Sequence, residues 1–347
     1  MNTPQAPASP HLPVRPDWLA RRSEAALEPE LPIIDAHHHL WDHPGNRYLH
    51  AEVLADAAAG HNIVATAYME CGAHYRTDGP AELRSLGETE FVNNIAEASA
   101  GGAHGPCRIA AAIVGNIDLR LGEAAGAALD AHLAVAPGRF RGIRQSSVYH
   151  PDPAARGSLA NPPPGLLADA QFRRGFACLA PRGLSFDAWM YHTQLDELVD
   201  LANAFPGTTI VLNHVGGAIG IGPYAGKRDE VFRAWQPAIA RLARCPNVVV
   251  KVGGMGMRVF GFDFADKPEP PDSAALASGW KPYAMACIEA FGPERCMFQS
   301  NFPVDKGTCS YVSLWNAFKR IAAGMSATEK NALFLATAAR VYRIDAA

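Results

Sequence analysis

The sequence Ile-Ile-Asp-Ala-His-His-His-Leu-Trp at residues 33–41 begins with a short apolar run and contains three consecutive histidines. Successive side chains of a β-strand point to opposite faces, so His37 and His39 share one face and His38 points to the other. The apolar character of the run is typical of a strand that is covered on both faces in a parallel sheet. We therefore predict a buried strand that ends in two imidazoles lying side by side.

Seven further runs of this kind follow, and amphipathic helical stretches fall between them. Eight strand–helix units in one chain predict an α/β fold of the (β/α)8 TIM-barrel type. The predicted strands are Ile33–Leu40, Ile63–Cys71, Arg108–Asp118, Phe140–Ser147, Leu184–His192, Thr209–Gly216, Val248–Gly254 and Cys296–Pro303. We expect one barrel domain over residues 32–347, preceded by an N-terminal arm over residues 1–31. Two long connections, His150–Ala168 and Phe260–Gly279, are either substrate lids or insertions without function.

The composition excludes several classes of protein. Of the 347 residues, 48% are hydrophobic and 19% are charged, which is enough apolar material for a large core and excludes disorder for most of the chain. The net charge of −3, without a basic run, gives no electrostatic footprint for nucleic acid or for a membrane surface. No apolar stretch is long enough to span a bilayer, and residues 1–31 contain no apolar core of the kind that a signal peptide has. We therefore expect a cytoplasmic protein.

The histidines of the first strand can bind one divalent cation, because two imidazoles on the same face of a strand end converge on one point. A purely structural role is the alternative. His214 lies at the carboxyl end of the sixth predicted strand and is either a metal ligand or a hydrogen-bonded support of its loop. His192 ends the fifth predicted strand, whose parity can instead direct Asp187, Trp189 and Tyr191 inward.

The chain resembles the amidohydrolase superfamily, in the branch that includes sugar lactonases, a pyrone dicarboxylate lactonase and sulfomuconolactone hydrolase. The resemblance extends from Leu31 to Ile344, and its motifs are specific in combination. They are Ile-Asp-Ala-His-His-His-Leu-Trp at 34–41, Gly-Glu-Thr-Glu-Phe-Val at 87–92, Phe-Arg-Gly-Ile-Arg at 140–144, Leu-Asn-His-Val-Gly at 212–216 and Phe-Gln-Ser-Asn-Phe-Pro-Val-Asp at 298–305. The resemblance implies four metal ligands, namely His37, His39, His192 and His214.

The eighth strand departs from the pattern of these relatives. They read Ser-Asp-Trp-Pro, with an Asp that serves as metal ligand and general base, whereas this chain reads Ser-Asn-Phe-Pro at 300–303. Asn301 can coordinate through its carbonyl oxygen or bind substrate, but an amide cannot act as a general base. The nearest carboxylates by topology are Glu70 and Asp305. Each is a candidate for the catalytic proton transfer, and the alternative for each is an ion pair or a supporting role.

Several polar residues near the strand ends are candidates for substrate binding. Arg144, followed by Gln145, ends the fourth predicted strand, where a guanidinium can bind a substrate carboxylate through two hydrogen bonds. A structural salt bridge is the alternative. Arg76 and Lys251 add donors to the same rim, and Trp41 either walls the pocket or packs in the core.

These observations favour a metal-dependent hydrolase of a small cyclic ester or amide, above all a lactone that bears a carboxylate. We expect one divalent ion, Zn²⁺ or alternatively Mn²⁺, and a small acidic molecule as substrate, while metal-free operation stays open. A nonoxidative decarboxylase of the same superfamily is the first alternative. The second is a small-acid-binding barrel without turnover, which the amide of Asn301 suggests. The oligomeric state, including a homo-oligomer, stays open.

Overall fold

A computed structural model of the chain describes residues 11–102, 105–158, 160 and 162–345. The first ten residues of the predicted arm and the last two residues of the predicted domain lie outside this part. Eight parallel strands form one sheet in the order β1-β4-β5-β6-β7-β8-β9-β10. They are β1 (Pro32–His38), β4 (Asn62–Met69), β5 (Arg108–Gly115), β6 (Phe140–Arg144), β7 (Ser185–Ala188), β8 (Ile210–Leu212), β9 (Val248–Val252) and β10 (Cys296–Phe298). A hairpin of β2 (Trp41–His43) and β3 (Asn46–Tyr48) follows β1.

The first and last strands meet and nearly close the sheet into a barrel. The backbone amide of His39 donates to the carbonyl of Phe302 over 2.8 Å, and that of Asn301 donates to the carbonyl of His37 over 2.9 Å. These two bonds lie at the carboxyl end of β1 and just beyond β10, so they join the segments that carry the candidate site residues. The predicted (β/α)8 barrel is confirmed.

Helices cover the outside of the barrel. They are α1 (Pro16–Leu19), α2 (His50–Ala57), α3 (Leu86–Ala100), α4 (Ala125–Val135), α5 (Ala170–Phe176), α6 (Leu195–Ala204), α7 (Arg228–Leu242), α8 (Ser273–Phe291), α9 (Tyr311–Ile321), α10 (Ala327–Asn331) and α11 (Thr337–Tyr342). The larger core cluster fills the layer between strands and helices, and a second cluster fills the barrel itself. Tyr342 of α11 is fully buried in this inner cluster. Within the described part of the chain, no helix is both long and apolar enough to span a bilayer.

Every predicted strand overlaps an observed one, but the predictions extend too far toward the carboxyl ends. The sixth predicted strand, for instance, runs to Gly216, whereas β8 stops at Leu212. His214 and Val215 then adopt positive φ angles of 51° and 48°, which lie outside the β region of backbone conformations. Asn301, beyond β10, also has a positive φ of 57°. The residues after the last ladder hydrogen bonds therefore form the irregular rim of the barrel, where barrel enzymes carry their sites.

Candidate active site

Three of the four predicted metal ligands come together at the carboxyl-terminal mouth of the barrel. The Nε2 atoms of His37 and His39 are 3.2 Å apart. The ring centroid of His214 lies 4.6 Å from that of His37. His39 and His214 line a cavity of about 1170 Å³, and His37 is fully buried beside them. We call these three residues the pocket histidines.

Neighbouring groups orient two of these rings. Nδ1 of His39 lies 2.9 Å from the carbonyl oxygen of Met69, so that nitrogen carries the proton and Nε2 keeps a free lone pair. Nδ1 of His214 lies 2.5 Å from Nε2 of Gln299, whose Oε1 is buried without a partner. Half a turn of this amide brings Oε1 to the N–H of His214, which satisfies both groups and frees His214 Nε2.

Burial keeps the pocket histidines neutral. Desolvation is the largest cause that lowers the pKa of His37, His39 and His214, each of them well below the usual value for histidine. The nearby cations Lys251 and Arg144 lower the pKa of His37 and His214 further. A neutral imidazole is the form that binds a metal ion, so the environment prepares these side chains for such a role.

The spacing of the first two histidines fits one divalent ion. Zn–N bonds of about 2.0–2.1 Å in a tetrahedral site place two nitrogens about 3.3 Å apart, close to the 3.2 Å between His37 and His39. Within the described ranges, however, no three His, Cys, Asp or Glu side chains already form a metal site together. The donor set therefore fits a two-nitrogen anchor with His214 beside it and open positions, which is typical of catalytic rather than structural sites.

Arg144 and Glu70 form an ion pair in the wall of the cavity. Nε of Arg144 donates to Oε1 of Glu70 over 2.7 Å, and Nη2 donates to the Glu70 carbonyl. Nη1 lies 3.4 Å from Nε2 of His37. Nε and Nη2 of the guanidinium are thus bonded to Glu70, which is the structural salt bridge that the sequence left open as an alternative. The third nitrogen, Nη1, faces the pocket histidines. Glu70 and Asp118 are carboxylates that line the cavity.

The amide at position 301 is held by the carboxylate at position 305. Nδ2 of Asn301 donates to Oδ1 of Asp305 over 2.8 Å, and the Gly256 backbone amide donates to Oδ2 over 2.8 Å. Asn301 lines the cavity, whereas Asp305 is fully buried behind it. Burial raises the pKa of Asp305 to about 7. The amide is therefore fixed by its nitrogen, which leaves Oδ1 as its free end.

Lys251 lies inside the barrel rather than on the rim. It is fully buried, and its Nζ donates to Oδ1 of Asp187 over 2.7 Å and lies 3.5 Å from Nδ1 of His37. Tyr342 and Asn213 also donate to Asp187. Strand parity places Lys251 on the inner face, and its position within β9 places it below the rim. The predicted contact with substrate is therefore replaced by a support under His37.

The remaining substrate-binding candidates divide into two groups. Trp41 and Gln145 line the cavity, although the Gln145 amide is used by Asp118 and by the backbone amide of Leu119. Arg76 pairs with Glu90 and does not line the cavity. It follows β4 by seven residues, so the chain has already left the rim toward α3.

His192 is separated from the pocket histidines. β7 ends at Ala188, and the chain then turns so that His192 lines a second cavity of about 540 Å³ together with His150 and Tyr224. Its Nδ1 accepts from the backbone amide of Ile219 over 3.3 Å. The alternative to a His192 ligand was that the residues of this segment at odd positions point inward. Two of them do so, because Asp187 points into the barrel and the Trp189 ring contacts the His214 ring edge-on at 4.8 Å. Among these histidines, His192 therefore lies at a different cavity from His39 and His214.

Sequence reasoning missed several residues at this site. Gln299, adjacent to the Ser-Asn-Phe-Pro motif, gave no signal because an amide in a buried strand has many uses. Residues 11–14 of the arm line the same cavity, which no pattern in the sequence indicated. Chain segments so far apart come together only through the fold.

Comparisons with known proteins place this site in a family. The amidohydrolase family model matches residues 34–344. A protein of Sinorhizobium fredii called y4mH is 35% identical over 337 residues, which cover 91% of this chain and 99% of that protein. An L-fucono-1,5-lactonase of Burkholderia multivorans is 27% identical over 320 residues, 90% of this chain and 96% of that one.

A solved structure shows the same fold. It is an amidohydrolase from Burkholderia multivorans with bound zinc, and it matches with a TM-score of 0.67 and 26% identity over 90% of this chain and 99% of that chain. The fold and the site define a TIM-barrel enzyme of the hydrolase class. The chain belongs to the amidohydrolase family.

Proposed function

We propose that this protein is a metal-assisted hydrolase that opens a small lactone bearing a carboxylate. The observation that carries the proposal is the pair of neutral imidazoles, His37 and His39, with Nε2 atoms 3.2 Å apart at the mouth of a barrel cavity. His214 beside them is the third ligand that we propose. The lactonase name of a relative that is 27% identical supports the class of substrate.

The bound ion would polarise the lactone carbonyl or lower the pKa of a water molecule. Glu70 lines the cavity and accepts the proton of the attacking water, because Asn301 cannot. Nη1 of Arg144 is directed toward the same place and stabilises negative charge on the carbonyl oxygen. Glu70 then returns the proton to the ring oxygen as the C–O bond breaks, which leaves a hydroxy acid.

Asn301 contributes an oriented acceptor. Since Asp305 holds Nδ2 over 2.8 Å, Oδ1 can accept from a substrate hydroxyl or from the attacking water. Trp41 and Trp189 supply flat apolar walls that exclude water from the reacting end. In this proposal the Asn301 amide takes over the binding role of the Asp found in the relatives, and Glu70 takes over its role as general base.

A metal-free reaction is the second candidate, and the position of Arg144 favours it. Nη1 lies 3.4 Å from His37 Nε2, so a guanidinium already faces the place where carbonyl charge would develop. In that case Arg144 alone polarises the carbonyl, and the neutral pocket histidines act as hydrogen-bonding groups.

Ring opening of two matched lactones tests the proposal. D-glucaro-1,4-lactone carries a free carboxylate and D-glucono-1,4-lactone, with the same ring, does not, and proton release reports the opening of each against the buffer rate. We expect faster turnover of the acidic lactone, about one divalent ion per chain in elemental analysis, and loss of activity after chelation. Full activity without any ion would favour the metal-free reaction. No lactone turnover, with release of CO₂ from aromatic acids, would contradict hydrolysis and favour a decarboxylase.

The acid-base assignment has its own test. Glu70→Gln removes the proton acceptor but keeps an oxygen for Arg144, so we expect kcat to fall by about a hundredfold or more while KM changes little. Asp118→Asn is the matched control, since Asp118 also lines the cavity but bonds to Arg120 and Gln145. Equal effects of the two substitutions would contradict the assignment.

A further inference from the structure

The described part of the N-terminal arm, residues 11–31, is bound along the outside of the barrel. Near β1, Lys319 of α9 donates to the carbonyls of Leu27 and Glu28 over 2.7 and 2.8 Å. Farther out, Glu24 accepts from the backbone amide of Ser273 over 2.7 Å and from the Ser313 hydroxyl over 3.0 Å. These bonds hold the arm against the barrel between the start of β1 and the amino ends of α8 and α9. Those amino ends lie at the mouth of the barrel.

The next part of the arm is bound to the long connection between β9 and α8. Arg15 donates to the Ala265 carbonyl over 2.7 Å, and the indole N–H of Trp18 donates to the Lys267 carbonyl over 3.1 Å. Trp18 is buried, with 7% of its surface exposed, and the Arg15 guanidinium stacks on its ring. The arm is thus fixed to a rim loop at residues 15–18, which directly follow residues 11–14 in the chain.

Residues 11–14 end at the cavity that holds the pocket histidines. Leu12 packs closely on the turn after β10, because a Cβ added to Gly307 would lie 2.6 Å from the Leu12 Cβ. The His11 ring stacks over Trp41 at 6.0 Å. His11, Leu12, Pro13 and Val14 all line the cavity. This segment is therefore a wall of the site, and its position depends on the side chain at Leu12 and on the absence of one at Gly307.

The wall differs in chemistry from the rest of the cavity. Leu12, Pro13 and Val14 are apolar, and Met257 and Val304 line the same cavity. Charged and polar side chains line the part of the cavity where the reaction is proposed, namely Arg144, Glu70 and Asn301. The arm also precedes residue 34, where the match to the family model begins. The wall thus lies outside the part of the chain that the family model matches.

We propose that the segment of residues 11–14, through the side chains of Leu12, Pro13 and Val14, forms an apolar subsite of this cavity that receives an apolar substituent of the substrate. The substrate class that follows is an acidic lactone with an alkyl or aryl substituent. The place of the reacting ring rests on the proposed function, whereas the subsite itself rests only on the contacts of the arm.

Binding of two carboxylates that differ only in their apolar part tests the subsite without turnover. Acetate and octanoate are titrated calorimetrically into the full chain, into a variant lacking residues 1–10 and into one lacking residues 1–14. The full chain and the shorter truncation are expected to bind octanoate more tightly than acetate. Loss of residues 11–14 should reduce octanoate affinity about tenfold or more, with acetate unchanged, because several methylenes lose their contact. Equal octanoate affinity in all three proteins would overturn the proposal.

A point substitution keeps the test valid if the longer truncation fails to fold. Leu12→Asp in the full chain places a charge in the apolar wall and should weaken octanoate binding by a similar factor. Arg21→Ala is its matched control, since Arg21 makes one exposed bond to the Pro268 carbonyl and does not line the cavity. Arg21→Ala should bind octanoate as the full chain does, and equal losses in both variants would overturn the subsite.

The lactone assay separates failure of the subsite from failure of the proposed function. A carboxylate-bearing lactone with an alkyl substituent and the same lactone without that substituent are compared by kcat/KM in the same three proteins. Preference for the alkyl lactone that disappears only without residues 11–14 supports both proposals. Arm-dependent octanoate binding without any lactone turnover supports the subsite and contradicts the hydrolase. Lactone turnover with no effect of the arm on either ligand supports the hydrolase and contradicts the subsite.

Discussion

Two groups of histidines lie on the same rim of the barrel and differ in what they can do. The pocket histidines, His37, His39 and His214, converge beside a cavity, with two Nε2 atoms 3.2 Å apart. His150 and His192, which we call the outer histidines, lie at a second cavity and contact Tyr224. Burial lowers the pKa of His192 to about 4, so it is neutral as well. Neutral imidazoles alone therefore do not make a catalytic site.

The difference lies in the backbone that carries them. His37 lies within β1, His39 follows its end directly, and both are fixed by the ladder and by the closure of the barrel. His192 lies four residues beyond the end of β7, where the chain has already turned outward. A strand end directs a side chain to the barrel axis, whereas a loop directs it according to its own turns. The number of residues between a histidine and the end of its strand thus distinguishes the pocket histidines, at two residues or fewer, from His192, at four.

The largest expected effect comes from removing a pocket histidine. His39→Ala deletes one of the two converging nitrogens, so we expect loss of bound metal and a fall in kcat/KM on the order of a thousandfold. His192→Ala, the matched control, should retain both within about tenfold. Elemental analysis and lactone kinetics on the two variants check this. Comparable losses in both would erase the distinction between the two groups.

The support under the pocket histidines gives the next largest effect. Lys251→Met leaves Asp187 buried without its cation, and breaking a buried ion pair costs about 3–5 kcal/mol of unfolding free energy. Lys267→Met removes an exposed pair with Asp263 and should change the unfolding free energy by about 0.5 kcal/mol or less. Urea unfolding measures both. A small effect at Lys251 would contradict the supporting role of this pair.

A smaller, pH-dependent effect is expected where the Asn301 amide meets Asp305. Burial raises the pKa of Asp305 to about 7, so the native state holds its proton more tightly and the unfolding free energy falls as pH rises from about 4 to 7. Asn301→Asp places a second carboxylate in contact, and the two cannot both ionise. We expect the variant to lose about 1–3 kcal/mol relative to the parent between about pH 5 and 8.

Urea unfolding at several pH values checks this dependence. The matched control is the double variant N301D/D305N, which exchanges the carboxylate and the amide and restores a single titrating group. Its pH dependence should return toward that of the parent. An N301D protein with the parent's slope would show that the two side chains do not interact as the structure indicates.

The smallest effect is expected at the outer histidines. Tyr224→Phe removes the hydroxyl that lies 3.1 Å from Nε2 of His150, and one such partly exposed hydrogen bond contributes about 1 kcal/mol or less. Lactone kinetics should stay at the parent level, because no pocket histidine contacts Tyr224 in the described structure. A large fall in kcat would transfer catalytic importance to the second cavity.

Much of the fold could be predicted because the hydrophobic pattern is local. All eight strands were found, and His37 and His39 were paired correctly from the two-residue period of a strand. Errors begin where the strands end. Lys251 was expected on the rim and lies inside the barrel, since the pattern gives a side chain's face but not its height along the barrel axis. Arg76 was expected beside the pocket and pairs with Glu90 outside it.

The candidate site was predicted less completely than the fold, because it depends on contacts between distant segments. Asn301 stood out as an amide in place of a carboxylate, but its bond to Asp305 follows from the positive φ that turns the chain back after β10. The pairing of Arg144 with Glu70 depends on the ends of β4 and β6, which lie on either side of β5 in the sheet. One residue type at one position admits both a functional and a structural use until its neighbours are known.

The sequence by itself determined the barrel, the strand that presents two imidazoles and the absence of the usual carboxylate, because each of these is written in consecutive residues. Only the tertiary structure decided that His214 joins the pair while His192 does not, that Lys251 supports His37 from below, and that residues 11–14 wall the cavity. Those decisions depend on where separate segments meet in space. The closure of the sheet sets that arrangement, and no local pattern contains it.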